Sequence, residues 1–324
     1  MLEPFAELVG QGAAVELLER AIACDRIAPA YLFAGPAGVG RRRAAQGFAT
    51  LLLSHHRPPE RALAIERKVR EQNHPDFLWV SPTYQHQGKL LSPAEAAAAG
   101  VKRKTPPQIR IEQIREITHF LARPPLEASR SVVVIEAAHT MAEGPANALL
   151  KTLEEPGQAT LILIAPSPEN LLATLVSRCQ RIPFYRLSRA DLTEVLRRQE
   201  QADIDDLIAD EALLAIAQGS PGAALLAWEQ RQTLAPELLN LIRHPPTTVT
   251  NALLRAKTLA SDLEPETQLW FLDYWQQEHW QQHHDPEPLA AFEATRRALL
   301  GYGQPRLAWE CLMIALLSPG ETPG

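Results

Sequence analysis

Cysteine is scarce in this chain of 324 residues, which contains only Cys24, Cys179 and Cys311. The three are far apart in the sequence and none belongs to a C-x-x-C pair, so the pattern excludes a disulfide framework. Few and scattered thiols are typical of cytoplasmic proteins, and we expect this protein to work in the cytoplasm.

Long apolar runs are also missing. No stretch of about eighteen apolar residues occurs, and Glu3 and Glu7 lie close to Met1, where a secretory leader would be basic and then apolar. We therefore expect neither a membrane span nor a signal peptide. Hydrophobic residues still make up 46% of the chain, which is enough for large cores. The length predicts two or three domains.

An excess of basic charge is the third feature that the chain lacks. Lysine and arginine total 32 against 38 acidic residues, which gives a formal net charge of -6. Proteins that bind DNA through its phosphates usually carry a basic excess or a dense basic face. The basic clusters at residues 41–43 and 102–104 are short, and the second is interpreted as solvated surface charge. Strong DNA binding by the isolated chain is not predicted.

What the chain does have is a glycine-rich loop between a strand and a helix. The apolar residues 30–34 predict a short buried strand, and a helical pattern follows the loop. Between them, Gly35, Gly38 and Gly40 fit a phosphate-binding loop, with Gly35 and Gly40 at the two glycines of the pattern G-x-x-x-x-G-K-[ST]. The order strand, loop, helix is the context in which that pattern is meaningful.

The last two positions of the pattern are defective, because Arg41 and Arg42 replace the lysine and the hydroxyl residue. In a working loop the lysine reaches the terminal phosphate oxygens and the hydroxyl binds Mg²⁺. A planar guanidinium is a poor substitute for a compact ammonium, and a cation at Arg42 repels a metal. We expect no productive ATP hydrolysis. Two alternatives stay open for the loop: residual nucleotide binding, or a tight turn retained for packing.

The second half of such a site has a matching defect. Residues 132–135 predict a strand, at whose end an active ATPase places a metal-holding acid and then a water-activating glutamate. Glu136 occupies the first position, but Ala137 occupies the second. A single carboxylate opposite two arginines is interpreted as an ion-pair partner. Two independent defects argue more strongly against hydrolysis than either one alone.

Prolines and serines mark the next elements. Pro145 is excluded from a helix interior, so a helix is predicted to begin near Glu143, with its leucines in the core. Residues 161–165 predict another buried strand. Ser167 is interpreted as the cap of a helix predicted over residues 168–176.

Three segments together carry a resemblance to a known family: the strand that ends at Glu136, residues 146–156, and the triplet Ser177-Arg178-Cys179. In this combination the chain resembles the clamp-loader branch of the AAA+ proteins, and within that branch it is most similar to the delta-prime family of bacterial DNA polymerase III. The resemblance covers nearly the whole chain, but these segments are its specific part.

The resemblance implies a fold of class α/β plus all-α. A RecA-like domain with a parallel sheet would occupy residues 1–186, a small helical lid residues 187–232, and a helical collar residues 233–324. Amphipathic periodicity supports helices in the last two parts, for example at 211–218, 269–280 and 306–317.

Arg178 has the most specific implied role. In clamp loaders the arginine of this triplet is supplied in trans to ATP that the adjacent subunit binds. Such an arginine finger pairs with charge on the transferred phosphoryl oxygens, and in GTPases it contributes a factor of about 10³–10⁵ in rate. The alternative is a structural arginine that caps helix carbonyls. The resemblance also implies that Ser167 stands where the family senses the γ-phosphate, and that Gly222 replaces a nucleotide-sensing arginine.

The implied function is a non-hydrolysing, or stator, subunit of a clamp loader. Its implied partners are the other subunits of a hetero-pentameric ring, the sliding clamp and, through the complex, primer–template DNA. No membrane partner and no intrinsic polymerase activity are expected. Two alternatives remain: an active AAA+ motor subunit that tolerates Arg41 and Glu136, and a scaffold in which Arg178 has no trans role.

Two stretches depart from the family pattern. Many family members carry a four-cysteine zinc module after the P-loop helix, and the corresponding stretch here has no cysteine. His55 and His56 with His74 are a conceivable ligand set, but thiolates are absent and the spacing is poor, so no zinc or other metal is predicted. Residues 81–107 are predicted to form an irregular, mobile insertion, followed by a strand at 109–111.

Overall fold

The structure is a computed structural model, and it describes residues 4–100, 106–199, 203–301 and 303–317. The basic cluster at residues 102–104 lies outside these ranges. The chain divides into two compact units, the first ending at Val195 and the second beginning at Leu196. The predicted separation of a lid from a collar at residue 232 is finer than this division and stays a prediction.

The first unit contains a parallel sheet whose three inner strands consist mainly of apolar residues. The strands of this unit are β1 (Ala30–Ala34), β2 (Phe77–Val80), β3 (Tyr84–His86), β4 (Lys89–Leu91), β5 (Ser131–Ile135), β6 (Ala159–Ala165) and β7 (Gln180–Pro183). The sheet has the order β2-β5-β6-β1-β7, and all its neighbours are parallel. Every residue of β5 and β6 is buried, as in a parallel sheet covered on both faces. The strands predicted near residues 30, 132 and 161 are confirmed.

Helices connect these strands and supply the rest of the core. The helix predicted to begin near Glu143 does begin there, with Pro145 in its first turn. The helices of the first unit are α1 (Gly12–Ala23), α2 (Arg41–Ser54), α3 (Pro59–Arg70), α4 (Pro93–Ala98), α5 (Ile111–Leu121), α6 (Glu143–Glu154), α7 (Ala173–Val176) and α8 (Arg189–Arg197), the last of which contains the unit boundary.

The predicted irregularity of residues 81–107 is wrong for the part that the structure describes. Strands β3 and β4 form an antiparallel hairpin, and α4 follows with a capping box made by Ser92 and Glu95. Thr83 and Gln108 exchange backbone hydrogen bonds at 2.9 and 3.1 Å, which join the two ends of the insertion. The described part of the insertion, residues 81–100 with 106 and 107, therefore has its own secondary structure.

Three further predictions of local structure are wrong. No strand forms at residues 109–111, since α5 already begins at Ile111. The helix predicted over residues 168–176 is interrupted, because Leu171 adopts an extended backbone between a 3₁₀ turn and α7. Ser167 does not cap a backbone N–H; its hydroxyl donates to Asn170 Oδ1 at 2.8 Å.

The second unit is helical throughout its described residues. Buried aromatic side chains, among them Phe271, Trp275, Phe292 and Trp309, form part of its core. None of the described helices in either unit is long and apolar enough to span a membrane. The helices of this unit are α9 (Ile204–Ala209), α10 (Glu211–Ala217), α11 (Pro221–Thr233), α12 (Pro236–Arg243), α13 (Val249–Asp262), α14 (Pro265–His283), α15 (Leu289–Leu300) and α16 (Pro305–Ala315).

A polar network joins both sides of the predicted lid–collar boundary. The Tyr274 hydroxyl on α14 lies 3.0 Å from Asp210 Oδ2 and accepts a hydrogen bond of 3.2 Å from Arg231 Nε on α11. Arg231 also pairs with Asp210 at 3.2 Å. Burial, reinforced by the nearby carboxylates, raises the pKa of Tyr274. These contacts explain in part why the helices on both sides of residue 232 form one compact unit.

Candidate functional site

The glycine loop forms a tight turn that only glycine fits at several positions. It connects the end of β1 to the start of α2, and Gly38 and Gly40 have φ angles of +74° and +101°, which favour glycine. A side chain at Gly35 would place its Cβ 2.3 Å from the carbonyl oxygen of Phe184. All three predicted glycines are thus required by the turn itself, whatever the loop binds.

Arg41 does not point into an open phosphate cradle. Its Nη1 donates a hydrogen bond to the carbonyl oxygen of Ala165, at the end of β6. Burial lowers the pKa of Arg41, and the nearby Glu136 carboxylate opposes that shift. The guanidinium therefore serves as an internal contact between the start of α2 and the sheet.

Arg42, in the first turn of α2, and Glu136, just after β5, form an ion pair. Arg42 Nη1 lies 2.8 Å from each carboxylate oxygen of Glu136. The guanidinium also stacks on Trp79, with its carbon 4.7 Å from the ring centroid. Glu136 Oε2 accepts two further hydrogen bonds, from Trp79 Nε1 at 3.0 Å and from Ser81 Oγ at 2.9 Å. The ion-pair interpretation of Glu136 is confirmed.

These residues do not fit a Mg²⁺-bound nucleotide in this arrangement. A cation stands where the metal-binding hydroxyl is needed, and the single carboxylate is already held by Arg42, Trp79 and Ser81. Ala137, in place of the water-activating glutamate, has a left-handed backbone with a φ of +49°. The structure brings Arg41, Arg42 and Glu136 close together, and each of them already has hydrogen-bond partners within the protein.

Arg178 lies elsewhere in the first unit, in the turn between α7 and β7. Its Nη2 donates to Glu154 Oε1 at 2.9 Å, and its Nη1 donates to the carbonyl oxygen of Thr174 at 3.1 Å. The carbonyl contact is the capping role that was the alternative for this residue. The side chain is nevertheless exposed, so capping does not remove it from solvent. Burial raises the pKa of the neighbouring Cys179 to about 11, which argues against a nucleophile there.

The conceivable histidine ligand set is not assembled. His74 is buried, and its Nδ1 accepts the backbone N–H of Asp76 at 3.1 Å. His55 and His56 stack with their ring centroids 3.8 Å apart, and His55 Nε2 lies 3.2 Å from Asp25 Oδ1. Asp25 therefore takes the place that the sequence reasoning gave to His74.

We expect the purified chain to contain no stoichiometric zinc. Asp25 and His56 are exposed and His55 is half-buried, and the set offers three ligands with no thiolate, whereas structural zinc sites have four ligands that usually include cysteine. Elemental analysis of protein prepared without chelator measures this directly. A full equivalent of zinc that is lost in the His56→Asn variant, which suits the φ of +63° at that residue, would contradict the prediction.

Comparison with known proteins decides the family. A family model described as "DNA polymerase III, delta subunit" matches residues 10–188, a little over half of the chain. A second, described as "Cyanobacterial DNA polymerase III delta prime, C-terminal domain", matches residues 190–316. The chain belongs to the delta-prime family of DNA polymerase III clamp-loader subunits. The resemblance inferred from the three segments is confirmed.

Individual relatives of this clamp-loader family agree. The chain is 34% identical over 199 residues to DNA polymerase III subunit delta' of Pseudomonas aeruginosa, which is 60% of this chain and 54% of that protein. It is 30% identical over 193 residues to subunit delta' of Bacillus subtilis, which is 59% and 52% of the two chains. The chain thus spans about half the length of the delta' relatives that it matches.

A solved structure supports the predicted fold class. The structure of a DNA polymerase III gamma subunit-related protein from Thermotoga maritima covers 93% of this chain and 98% of its own, with a TM-score of 0.50 and 16% identity. At that identity the likeness concerns the fold alone. An α/β sheet domain followed by helices is therefore confirmed as the architecture of this clamp-loader subunit.

Proposed function

We propose that this chain is a non-hydrolysing subunit of the DNA polymerase III clamp loader. It would cap one end of a hetero-pentameric ring in the cytoplasm, contact the sliding clamp, and meet primer–template DNA through the complex. The observation that carries the proposal is the ion pair between Arg42 and Glu136, since it fills a nucleotide site of the AAA+ type with protein groups.

The free energy needed to admit Mg²⁺ to this site argues against ATP hydrolysis by this chain. Admitting Mg²⁺ would require breaking charge-assisted hydrogen bonds from Arg42 to both oxygens of Glu136, which are about twice as strong as neutral ones. The metal would then stand beside a guanidinium that repels it. Hydrolysis would therefore take place in neighbouring subunits, and this chain would help to set the arrangement of the ring.

The part that acts on a neighbour would be Arg178. Its support is the resemblance of residues 177–179 to the clamp-loader triplet, together with an exposed position at the end of α7. A subunit without its own hydrolysis can still be coupled to the cycle, because a neighbour's ATP need only bias two arrangements of the ring.

We expect the isolated chain to show no Mg²⁺-dependent ATP hydrolysis, because Arg42 excludes the metal and Ala137 supplies no base. Any nucleotide that the glycine loop retains should bind without a requirement for Mg²⁺. A steady-state ATPase assay and a titration with fluorescent nucleotide, each with and without Mg²⁺, measure both. The matched variant is Glu136→Gln, which breaks the ion pair and adds no catalytic group. Hydrolysis by the wild-type chain that disappears in Glu136→Gln would identify a motor subunit instead.

A further inference from the structure

Arg178 is held at two points although it faces solvent. Nη2 donates to Glu154 and Nη1 to the carbonyl of Thr174. The side chain of Arg178 keeps 38% of its accessible surface and that of Glu154 keeps 54%. An exposed arginine is otherwise free to sample many rotamers, so two contacts on different elements fix the direction of the guanidinium.

Both anchors are exposed, but they stand on helices that pack into one core. Glu154 is the last residue of α6, and Thr174 lies in α7. Leu153 of α6 is buried in the same hydrophobic cluster as Leu175 and Val176 of α7. The guanidinium is therefore held by residues of two packed helices. A preorganised group requires such rigid support.

The two contacts leave several N–H donors of the guanidinium unused. Arginine has five N–H donors in a planar fork, and each contact uses one hydrogen on one terminal nitrogen. The remaining hydrogens can face a phosphoryl oxygen while Glu154 holds the opposite edge. An exposed ion pair of this kind contributes little to folding stability, so its main consequence is orientation.

We propose that Glu154 is a positioning residue for Arg178, whose carboxylate aims the guanidinium at the phosphates bound by the neighbouring subunit. The inference rests on the trans role of Arg178 proposed above. Glu154 itself touches no nucleotide and transfers no proton; it acts only through the arginine.

The ion pair is tested first in the isolated chain, where assembly plays no part. Phenylglyoxal modifies accessible guanidinium groups, and mass spectrometry follows Arg178. We expect Arg178 to react about two- to fivefold faster in Glu154→Ala than in the wild type, which is the protection given by an exposed ion pair of ordinary strength. Glu155→Ala removes the same charge one residue away and should react like the wild type. Equal reactivity in all three chains would overturn the proposal.

The positioning role is tested in the reconstituted clamp-loader complex. We expect Glu154→Ala to lower kcat for ATP hydrolysis at the site that receives Arg178 by about three- to tenfold, with KM unchanged, because orientation and not binding is lost. Glu154→Gln keeps an acceptor oxygen and should be intermediate, and Glu155→Ala should match the wild type. In an Arg178→Ala background, Glu154→Ala should cause no further decrease, since both act through one group.

The outcomes separate this inference from the proposed function. If Arg178→Ala leaves hydrolysis unchanged, the finger itself is wrong. If Arg178→Ala slows hydrolysis and Glu154→Ala does not, only the positioning role fails. A faster rate in Glu154→Ala would mean that Glu154 sequesters Arg178, and a chain that no longer assembles would make Glu154 an interface residue; either result overturns the proposal.

Discussion

Replacing Arg178 by alanine is expected to slow ATP hydrolysis by about 10³-fold or more at the neighbouring subunit's site to which we propose that it is supplied, as for arginine fingers in GTPases. In that proposed role the guanidinium would pair with charge that develops on the transferred phosphoryl oxygens, and alanine would offer nothing in its place. Single-turnover hydrolysis in the reconstituted complex is the suitable measurement, because other sites in the ring can mask the loss in a steady-state rate.

Two further variants define what is lost. Arg178→Lys keeps the positive charge but not the planar fork, so we expect it to recover only part of the rate. Arg181→Ala removes an exposed arginine three positions further along the chain, at the second residue of β7. This variant should leave the rate near the wild type. An unchanged rate in Arg178→Ala would identify the chain as a scaffold without a trans role.

The sequence predicted the ion pair of the degenerate site but not the groups that complete it. Arg42 and Glu136 were recognisable because each stands at a fixed place in a known pattern. Trp79 and Ser81, which also bind Glu136, lie 57 and 55 positions away from it in the chain. They reach Glu136 because β2 is the neighbour of β5, and that order of strands is not encoded in any local pattern.

The hairpin in the insertion left only part of its usual signal in the sequence. His86 pairs with Lys89, so only Gln87 and Gly88 form the turn. Both have positive φ angles, +49° and +78°, as a tight two-residue hairpin turn of type I′ requires. Glycine at the second position was the visible part of that signal, but Gln87 is an unusual first residue and concealed it.

Asp76 is the residue whose structural importance the sequence concealed most. The residue is only 2% exposed, yet it carries a carboxylate and stands just before the first residue of β2. The two oxygens accept the backbone N–H groups of Leu126, Glu127 and Ala128 at 2.6, 2.7 and 2.6 Å. Asp76 thereby fixes the loop that leads from α5 into β5, the strand that ends at Glu136.

We expect Asp76→Ala to lower the free energy of unfolding of the first unit by about 3–5 kcal/mol. The substitution leaves three N–H groups without an acceptor, and each unsatisfied buried group costs about 1–3 kcal/mol, reduced where water reaches the loop. Chemical denaturation followed by circular dichroism measures the loss. The matched control is Glu127→Ala, which removes an exposed carboxylate of the same loop that pairs with Lys68 at 2.8 Å. Because an exposed ion pair contributes about 0–1 kcal/mol, this control should change little. Similar losses in the two variants would show that the loop is held by its surface charges, and that the buried carboxylate is not its anchor.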